Sequence, residues 1–456
     1  MKIVVAGAGK VGEVICRELC FEDHEITLIE LSEKRLDNMI GMYDITGVHG
    51  SGALVDVQRE AEVPQCDIFI AVTPDDETNL IAAITAKSIG ARYVIARVRS
   101  PEYSRQMSFL RETFGISVMI NPELEAAREV MRGMRFPEAL SVESFAGGLV
   151  NIVEYVLPEG SELAGLKLYE VGRKHGDVLI CMIIRDDDII IPHGTTTLEV
   201  GDHLFVTGSD SEILRFMSNG HSRNRRIKSA LVIGGGRITR YLLPRLERYH
   251  IRSKVIEMNE DIAEQLAADF PRVEVVLNDG TSQSVLHEEN AEHYDAVIAV
   301  TGVDEENILI NLYAAHVGVR KTVTKVNRTD LLTVLKDTGL KSILTPYRII
   351  ANQIVRLVRS MANSEGSNIE AFYSLADGKV EILQFRVAEG NLVSDIPLID
   401  LDTKQGLLIA CIIRGEEIIY PRGDTCIQLG DEIVIVTIHT RFDDVNDILA
   451  NGRATR

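Results

Sequence analysis

Over the first 120 positions the apolar residues fall in short β-rich runs, at Ile3 to Ala6, Glu25 to Glu30, Ile68 to Val72, Tyr93 to Arg97 and Ile116 to Ile120. Between these runs the apolar positions recur every three to four residues, as from Val11 to Leu19, the period of a helix that buries one face. Strands alternating with helices predict a parallel sheet covered by helices. Asn121-Pro122 and Thr345-Pro346 each predict an N-cap followed by proline at the first helical position. The helices they open run through Met134 and Met361. An apolar stripe in the second, Ile350, Ile354, Leu357 and Met361, suits exchange with a partner subunit or packing on its own module.

The pattern then repeats. Ile3-Val-Val-Ala-Gly-Ala-Gly9 returns as Leu231-Val-Ile-Gly-Gly-Gly236, and Leu28-Ile-Glu30 as Val255-Ile-Glu257. Asp67-Ile-Phe-Ile-Ala-Val-Thr73 returns as Asp295-Ala-Val-Ile-Ala-Val-Thr301, and Asn79 as Asn307. A second kind of segment is also duplicated, Gly201-Asp-His-Leu-Phe-Val206 against Gly430-Asp-Glu-Ile-Val-Ile435, each preceded by a charged turn between strands. Half of the 456 residues is 228, close to the offset at each of these matches. The chain therefore reads as a large module and a small module, twice. Expected bounds are 1–135 and 136–219, then 229–361 and 362–450, joined by a polar, basic linker over 220–228.

Composition narrows the function classes. The chain carries 68 acidic and 48 basic residues, a formal net charge of −20, which disfavours nucleic acid as the main partner. The longest apolar stretches, Val178 to Ile184 and Leu407 to Ile413, are strand-sized and far short of the ~20 residues that span a bilayer. No signal-like segment precedes the first strand, so the fold is expected to start at Met1 in the cytoplasm. Six scattered cysteines form neither a disulfide framework nor a zinc pattern. Cys16, Cys20 and His24 have helical spacing for a metal, but three ligands without a fourth read better as buried helix residues.

The chemistry sits at the glycine turns. Gly7-Ala8-Gly9-Lys10-Val11-Gly12 has GxGxxG spacing between a strand and a helix. In such a turn Gly7 permits the bend, Gly9 lets backbone approach a pyrophosphate, and Gly12 allows close helix packing. Glu30 ends the second strand, where a carboxylate accepts hydrogen bonds from ribose hydroxyls and repels a 2′-phosphate, favouring NAD or an adenine nucleotide over NADP. The second copy, Gly234-Gly235-Gly236-Arg237-Ile238, keeps its carboxylate in Glu257 but has Thr239 at the third glycine position. Thr239 is expected to hold its helix slightly further from the strand. That makes the second copy either a decayed relic or a site tuned to a different nucleotide. Asp279, after the third strand, favours a working site, because it can bond an adenine or ribose edge; the first copy has Gly50-Ser-Gly52 there.

Further candidates lie at strand ends, where ligands bind in such sheets. Thr73 and Thr301 end the fourth strands, Arg97 and Lys325 the fifth. The two basic residues suit a phosphate or a nicotinamide amide, or equally an ion pair with Asp75-Asp-Glu77 or a neighbouring subunit.

Taken together, the first glycine turn, Glu30, Val48-His-Gly-Ser-Gly52, Ala71-Val-Thr-Pro-Asp-Asp-Glu-Thr-Asn79 and Ile95-Ala-Arg-Val-Arg-Ser-Pro101 resemble the RCK (KTN) domain. The small modules, with Gly201-Asp202 and Gly430-Asp431, resemble the RCK C-terminal subdomain. Their tandem duplication resembles the TrkA-like regulatory subunits of Trk-type potassium uptake systems over nearly the whole chain. The resemblance implies an α/β fold of two Rossmann-like parallel-sheet RCK N-terminal domains, each followed by a small α+β C-terminal subdomain. It implies a cytoplasmic protein, peripheral on the inner face of the cell membrane, that forms a homodimer or homotetramer ring beneath a separate membrane potassium channel subunit. NAD(H), or ATP/ADP especially at the second site, would change the ring's shape and gate the pore. The family's cofactor positions fall on Gly7, Ala8, Gly9, Lys10, Val11, Gly12, Glu30, Thr73, Pro74 and Arg97. In the second copy they fall on Gly234, Gly235, Gly236, Arg237, Ile238, Glu257, Asp279 and Thr301.

Two other classes compete. An NAD-dependent dehydrogenase uses the same turn but needs a general acid or base beside the nicotinamide. The small modules are too short for a typical catalytic domain, and the histidines lack a recurring carboxylate partner; His287 and His293 flank an acidic run that reads as a solvated helix face. A cation-binding module would use Asp186 to Asp188 or Glu416-Glu417, which offer fewer ligands than a calcium cage needs. A non-enzymatic sensor is the reading carried forward.

Overall fold

The structure is a computed structural model. It describes residues 1–450 apart from 22–23, 105, 146–148, 175–176, 187, 219–225, 329–330, 332–334, 336–339, 341, 364–368, 376–379, 440–441 and 443. Most of the expected linker, and Asp187 of the charged turn, lie outside the described residues. The chain divides into two compact units, one of residues Met1–Arg135 with Ile227–Val355, the other of Phe136–Arg226 with Arg356–Arg456.

In the first unit, β1 (Lys2–Ala6), α1 (Lys10–Leu19), β2 (Glu25–Glu30), α2 (Glu33–Met42), β3 (Thr46–His49), α3 (Val55–Glu60), β4 (Ile68–Ala71), α4 (Asp76–Ile89) and β5 (Tyr93–Arg97) follow one another. Two short helices, α5 (Pro101–Ser104) and α6 (Met107–Phe114), precede β6 (Val118–Ile120) and α7 (Pro122–Arg135). The six strands pair in the order β3-β2-β1-β4-β5-β6. Val5 of β1 lies beside Leu28 on one side and Ile70 on the other, all three pairing in parallel. Ile3 to Ala6 and Ile68 to Ala71 are buried at every position, which is why these strands read as unbroken apolar runs rather than alternation. The chain leaves β1 toward β2 and returns on the other side as β4, so a crevice opens above the carboxyl ends of β1 and β4.

After the small module described below, β12 (Ser229–Ile233), α10 (Arg237–Arg248), β13 (Arg252–Glu257), α11 (Glu260–Asp269), β14 (Glu274–Leu277), α12 (Gln283–Glu288), β15 (Ala296–Ala299), α13 (Asp304–His316), β16 (Lys321–Lys325) and β17 (Ile343–Leu344) build a second sheet, ordered β14-β13-β12-β15-β16-β17. The helix α14 (Pro346–Asn363) follows it.

The two sheets are tied by α7. Asn121 caps it as expected, accepting from Leu124 N at 2.9 Å. Its buried face, Ala126, Ala127, Val130, Met131 and Met134, shares a core with Ile238, Leu242, Leu243 and Leu246 of α10 in the second module. Burial of the three larger side chains of that face stabilises the docking by about 1.5–3 kcal/mol each. Asn121 Nδ2 also donates to Tyr241 Oη at 2.9 Å, across the same junction. This α7 is thus exchanged within one chain, an arrangement between the two alternatives weighed for these helices. In α14, Ile350 and Ile354 are fully buried, and Leu357 and Met361 are half-buried.

The second unit holds both small modules. In the first, β7 (Ser141–Phe145), β8 (Val150–Val156), α8 (Leu168–Lys174), β9 (Val178–Arg185), β10 (Asp188–Ile190), β11 (His203–Gly208) and α9 (Asp210–Ser218) give an antiparallel sheet ordered β10-β9-β11-β8-β7. In the second, β18 (Ile369–Leu375), β19 (Val380–Arg386), β20 (Leu407–Arg414), β21 (Glu417–Ile419) and β22 (Glu432–Thr437) repeat that order as β18-β19-β22-β20-β21. The sheets share a core in which Phe145, Ile152, Cys181 and Phe205 meet Ile382, Cys411, Ile413 and Val434. The duplicated Gly-Asp pairs have a structural role. Asp202 is buried and takes Arg185 Nε and Nη2 at 2.7 and 2.8 Å, and Asp431 takes Arg414 Nε and Nη2 at 2.9 and 2.8 Å.

Candidate functional site

The first glycine turn is shaped by backbone close to backbone. Gly7 has φ +112°, which L side chains rarely adopt, and a Cβ there would lie 3.0 Å from Thr73 N. At Gly12 a Cβ would fall 1.9 Å from the Gly7 carbonyl oxygen, so the helix approaches the turn as closely as a missing side chain allows. Gly9 differs from both. Its φ is −75°, and a Cβ there would meet nothing within 4 Å. No side chain caps α1, so the first-turn N–H groups of Lys10, Val11 and Gly12 are available to an anion, reinforced by the helix dipole.

Glu30 closes this arrangement from β2. Its carboxylate is buried and accepts Ala8 N at 2.7 Å on one oxygen and Ser32 N at 2.9 Å on the other. Each oxygen keeps a second lone pair. The cleft holds about 430 Å³, and Gly7, Gly9, Glu30, Arg35, Gly52 and Thr73 are among the residues that line it.

The second turn repeats the first with one change. Gly234 has φ +101° and its Cβ would lie 3.1 Å from Thr301 N. Glu257 accepts Gly235 N at 2.5 Å and Asn259 N at 2.8 Å. Thr239 fills the place where Gly12 has no room. It is fully buried, and its hydroxyl donates to the Gly234 carbonyl at 2.5 Å. The second turn thus accommodates a side chain at this position, and the threonine hydroxyl bonds the turn's own carbonyl. The cleft is larger, about 560 Å³, and its lining includes Gly234, Gly236, Arg237, Ile238, Glu257, Asp279, Thr301 and Lys325. Asp279 is exposed; its carboxylate sits below the usual range because the Thr281 hydroxyl and amide donate to it at 2.7 and 2.9 Å.

Of the expected positions, Gly7, Gly9, Glu30, Thr73 and Pro74 line the first cleft, and all those of the second copy except Gly235 line the second. Ala8, Lys10, Val11 and Gly12 are not among the residues lining the first cleft, and neither is Arg97. Arg97 is buried. Burial first, then neighbouring Arg99, lowers its pKa. The alternative, an ion pair with the acidic run, is not made either: these residues bond other groups, although Asp76 Oδ1 is buried without a hydrogen-bond partner. Asp75 caps α4 through Thr78 N at 2.7 Å, Asp76 takes the amides of Arg99 and Ser100 at 2.9 and 2.8 Å, and Glu77 takes Tyr103 Oη at 2.8 Å. Lys10 likewise turns to the second module, with Nζ 5.6 Å from the Tyr347 ring centroid. Lys325 does line its cleft. Its Nζ donates to the Thr301 carbonyl at 2.8 Å, and burial depresses its pKa. Among the described residues no three His, Cys, Asp or Glu side chains converge to hold a metal. Cys16 is buried in α1, and burial pushes its thiol up to about 12.

Sequence reasoning passed over Asn79 and Asn307. Asn79 Oδ1 accepts the Thr73 amide and hydroxyl, both at 2.8 Å, while Nδ2 donates to the carbonyls of Thr73 and Arg97, both at 3.0 Å. Asn307 repeats the staple to Thr301 N and to the carbonyls of Thr301 and Lys325, at 2.8, 3.4 and 3.0 Å. One buried amide therefore fixes the ends of two strands that face each cleft. The signal was present in the repeat, where both asparagines fall in register.

Comparison with known proteins bears on the whole chain. The TrkA-N domain profile matches residues 3–122 and 230–346, and the TrkA-C domain profile matches 152–219 and 382–450. The chain belongs to the TrkA family. The Trk system potassium uptake protein TrkA homolog of Archaeoglobus fulgidus is 31% identical over 450 residues, covering 98% of this chain and 100% of the relative. Trk system potassium uptake protein TrkA of Halomonas elongata is 30% identical over 450 residues, covering 97% and 96%. Among solved structures, the GsuK RCK domain aligns with TM-score 0.62 at 18% identity over 95% of this chain and 92% of that one. The GsuK channel bound to NAD aligns with TM-score 0.63 at 18% identity over 96% and 76%. These likenesses place the fold, two Rossmann-like sheets and two antiparallel sheets, with that of RCK domains. Among the described residues no helix is long and apolar enough to cross a membrane.

Proposed function

We propose that both glycine-turn clefts bind adenine nucleotides, NAD(H) in the first and NAD(H) or ATP/ADP in the second, and that their occupancy regulates a separate membrane potassium uptake channel. The observation that carries this reading is the same combination made twice. An uncapped helix start at Gly9 and at Gly236 faces open space, beside a buried strand-end carboxylate, Glu30 or Glu257, with lone pairs to spare. Amides of Gly9 to Val11, and of Gly236 to Ile238, would hold phosphates, while those of Ala8 and Gly235 orient the carboxylates; Glu30 and Glu257 would hold ribose hydroxyls, with Thr73, Pro74, Thr301 and Asp279 closing the clefts. When bound, the nucleotide supplies a charged group whose affinity differs between conformations, and only such a difference shifts an equilibrium. Family membership and the GsuK structures, which include one with NAD, support this reading.

The module bounds 1–135, 136–219, 229–361 and 362–450 belong to it, as do a cytoplasmic location at the inner membrane face and a homodimeric or homotetrameric ring. A hydride-transfer mechanism would need a general acid or base beside the nicotinamide, whereas Glu30 and Glu257 stand at the positions that take ribose hydroxyls. Isothermal titration of the full chain with NADH, NAD, ATP and ADP tests binding. Two binding events per chain without turnover support the proposal, and no binding of any of the four ends it. Co-purification with a potassium channel subunit from native membranes tests the partner.

A further inference from the structure

Gln58 is a polar side chain that the first module buries and the second does without. It lies in α3 and is 0% exposed. Its Nε2 donates to the Gly52 carbonyl at 2.6 Å and to the Ala82 carbonyl of α4 at 2.9 Å, while Oε1 is buried with no hydrogen-bond partner. An amide oxygen left dry and unmet costs stability. The duplicated half shows that the fold does not require this arrangement. Leu286 of α12 stands in register with Gln58, and Ile310 of α13 with Ala82; both are buried and share one apolar core. A costly polar group that the twin module replaces by leucine points to a role at a site.

What Gln58 holds is the loop after β3. Gly52 lines the first cleft beside Ser51, and it is pressed so close to β1 that a Cβ would lie 2.7 Å from that of Ala6. Gly50 N bonds the Glu30 carbonyl at 3.0 Å, so this loop stands on the ribose side of the cleft. Gln58 draws the Gly52 carbonyl inward. The following peptide is trans and planar, so the Ala53 N–H points the other way, to the Ser51 hydroxyl on the cleft side, which accepts it at 3.4 Å. That bond is long, at the edge of hydrogen-bond reach. The second module fixes the corresponding loop from outside. Asn278 Oδ1 takes Asp279 N at 2.9 Å, and Asp279 Oδ1 takes the Thr281 amide and hydroxyl at 2.9 and 2.7 Å. There the amide equivalent to that of Ala53 is capped by a carboxylate, and Leu286 in the place of Gln58 offers no hydrogen bond. Building on the nucleotide reading above, we propose that Gln58 is a positioning residue of the first cleft, turning the Gly52–Ala53 peptide so that its N–H is presented to an acceptor on the adenosine half of a bound nucleotide.

The test isolates the first cleft in the full chain with Gly236→Asp and titrates NADH calorimetrically. Gln58→Met keeps the length of the side chain and removes both donors. It should weaken NADH binding roughly 5- to 15-fold, the equivalent of one lost hydrogen bond, and Gln58→Leu, which carries the residue of the second module, should do the same. Unfolding of the ligand-free protein should shift by less than about 3 °C, because the unmet Oε1 goes with the donors. In the Gly9→Asp background, which leaves only the second cleft, Gln58→Met should change NADH affinity by less than about twofold. Hydrogen exchange gives a readout that packing alone would not move: saturating NADH should protect the Ala53 amide in the parent but not in Gln58→Met. Parental affinity and protection in Gln58→Met, or equal losses at both clefts, overturns the role of Gln58 and leaves nucleotide binding standing. Absence of NADH binding in the unsubstituted chain overturns both readings together.

Discussion

Aspartate at Gly9 or Gly236 separates nucleotide binding from folding. Both glycines head a helix in extended backbone, φ −75° and ψ −176° at Gly9 and φ −68° and ψ −168° at Gly236, conformations open to any L residue. An added Cβ meets nothing within 4 Å at either position. Aspartate is a better N-cap than glycine by a few tenths of a kcal/mol, and it also lowers the entropy of the unfolded chain. The ligand-free protein should therefore unfold within about 2 °C of the parent or slightly above it. Binding should suffer heavily. The new carboxylate takes the first-turn amides for itself and places a negative charge about 4–5 Å from any phosphate there, costing roughly 2–4 kcal/mol at an effective dielectric constant of 20 to 40. Affinity should fall by about 30-fold or more. Calorimetry should show one binding event lost in each single variant and both lost in the double variant. Thermal denaturation should agree, since a ligand at 100 times its dissociation constant stabilises by about 2.7 kcal/mol. A well-folded double variant that binds NADH and ATP with parental affinity would refute the reasoning, because no phosphate could then be resting on either turn.

Other consequences follow from the same geometry. Gly12→Ala forces a methyl group against the Gly7 carbonyl, 1.9 Å from the ideal Cβ, and should cost about 1–3 kcal/mol in urea denaturation. Thr239→Ala removes the hydrogen bond to Gly234 without adding bulk, and should cost only about 1 kcal/mol. Asn79→Ala strips partners from the Thr73 amide and from two carbonyls; a loss of about 2–3 kcal/mol is expected by the same assay, with weaker binding at the first cleft. Burial pushes the thiols of Cys16, Cys66 and Cys411 from 9.0 up to about 12, and that of Cys181 higher still. The unfolded chain then releases these protons first, so stability is flat below pH 9 and falls as pH rises toward 12, by about 1 kcal/mol per thiol per pH unit. Replacing Cys16 and Cys66 by alanine should make the fall of the urea midpoint between pH 9 and 10 shallower, and an unchanged slope would contradict this assignment.

The strand–helix alternation and the duplication were legible because buried parallel strands leave unbroken apolar runs and because both halves keep them in register. Glu30 and Glu257 were legible from their distance to the glycine turn, and each indeed faces one. Thr239 was legible as a strain on the turn; its remedy, a side-chain hydrogen bond to the turn's own carbonyl, depends on a rotamer that spacing does not specify. Arg97 was misplaced for a similar reason. A strand end shows where a residue stops but not which way its side chain leaves the sheet, and here it leaves the first cleft and lies near Arg99 and Glu123. The helix α7 was recognised by its cap, proline and apolar stripe, yet a stripe says only that something covers it. What covers it is α10, more than 100 residues away, and no local pattern encodes that partner.

That partnership explains why two modules in one chain can do what two identical subunits cannot. Were the pair a symmetric dimer of one module, any residue reaching across would reach both ways, and a change tuning one cleft would tune its twin. Tandem copies escape this constraint: where the halves meet, Arg99 stands against Asn327 and Glu123 against Tyr347, and at the turns Gly12 stands against Thr239. Energetic coupling between the clefts must still be reciprocal, so a ligand in the second alters affinity at the first by the same factor as the reverse. The asymmetry lies instead in which contacts carry that coupling. Because Arg99 and Glu123 belong to the module that holds the first cleft but line the second, a ligand in the second would touch the first module directly. Arrival in the first must act through the position of its own sheet and of α7.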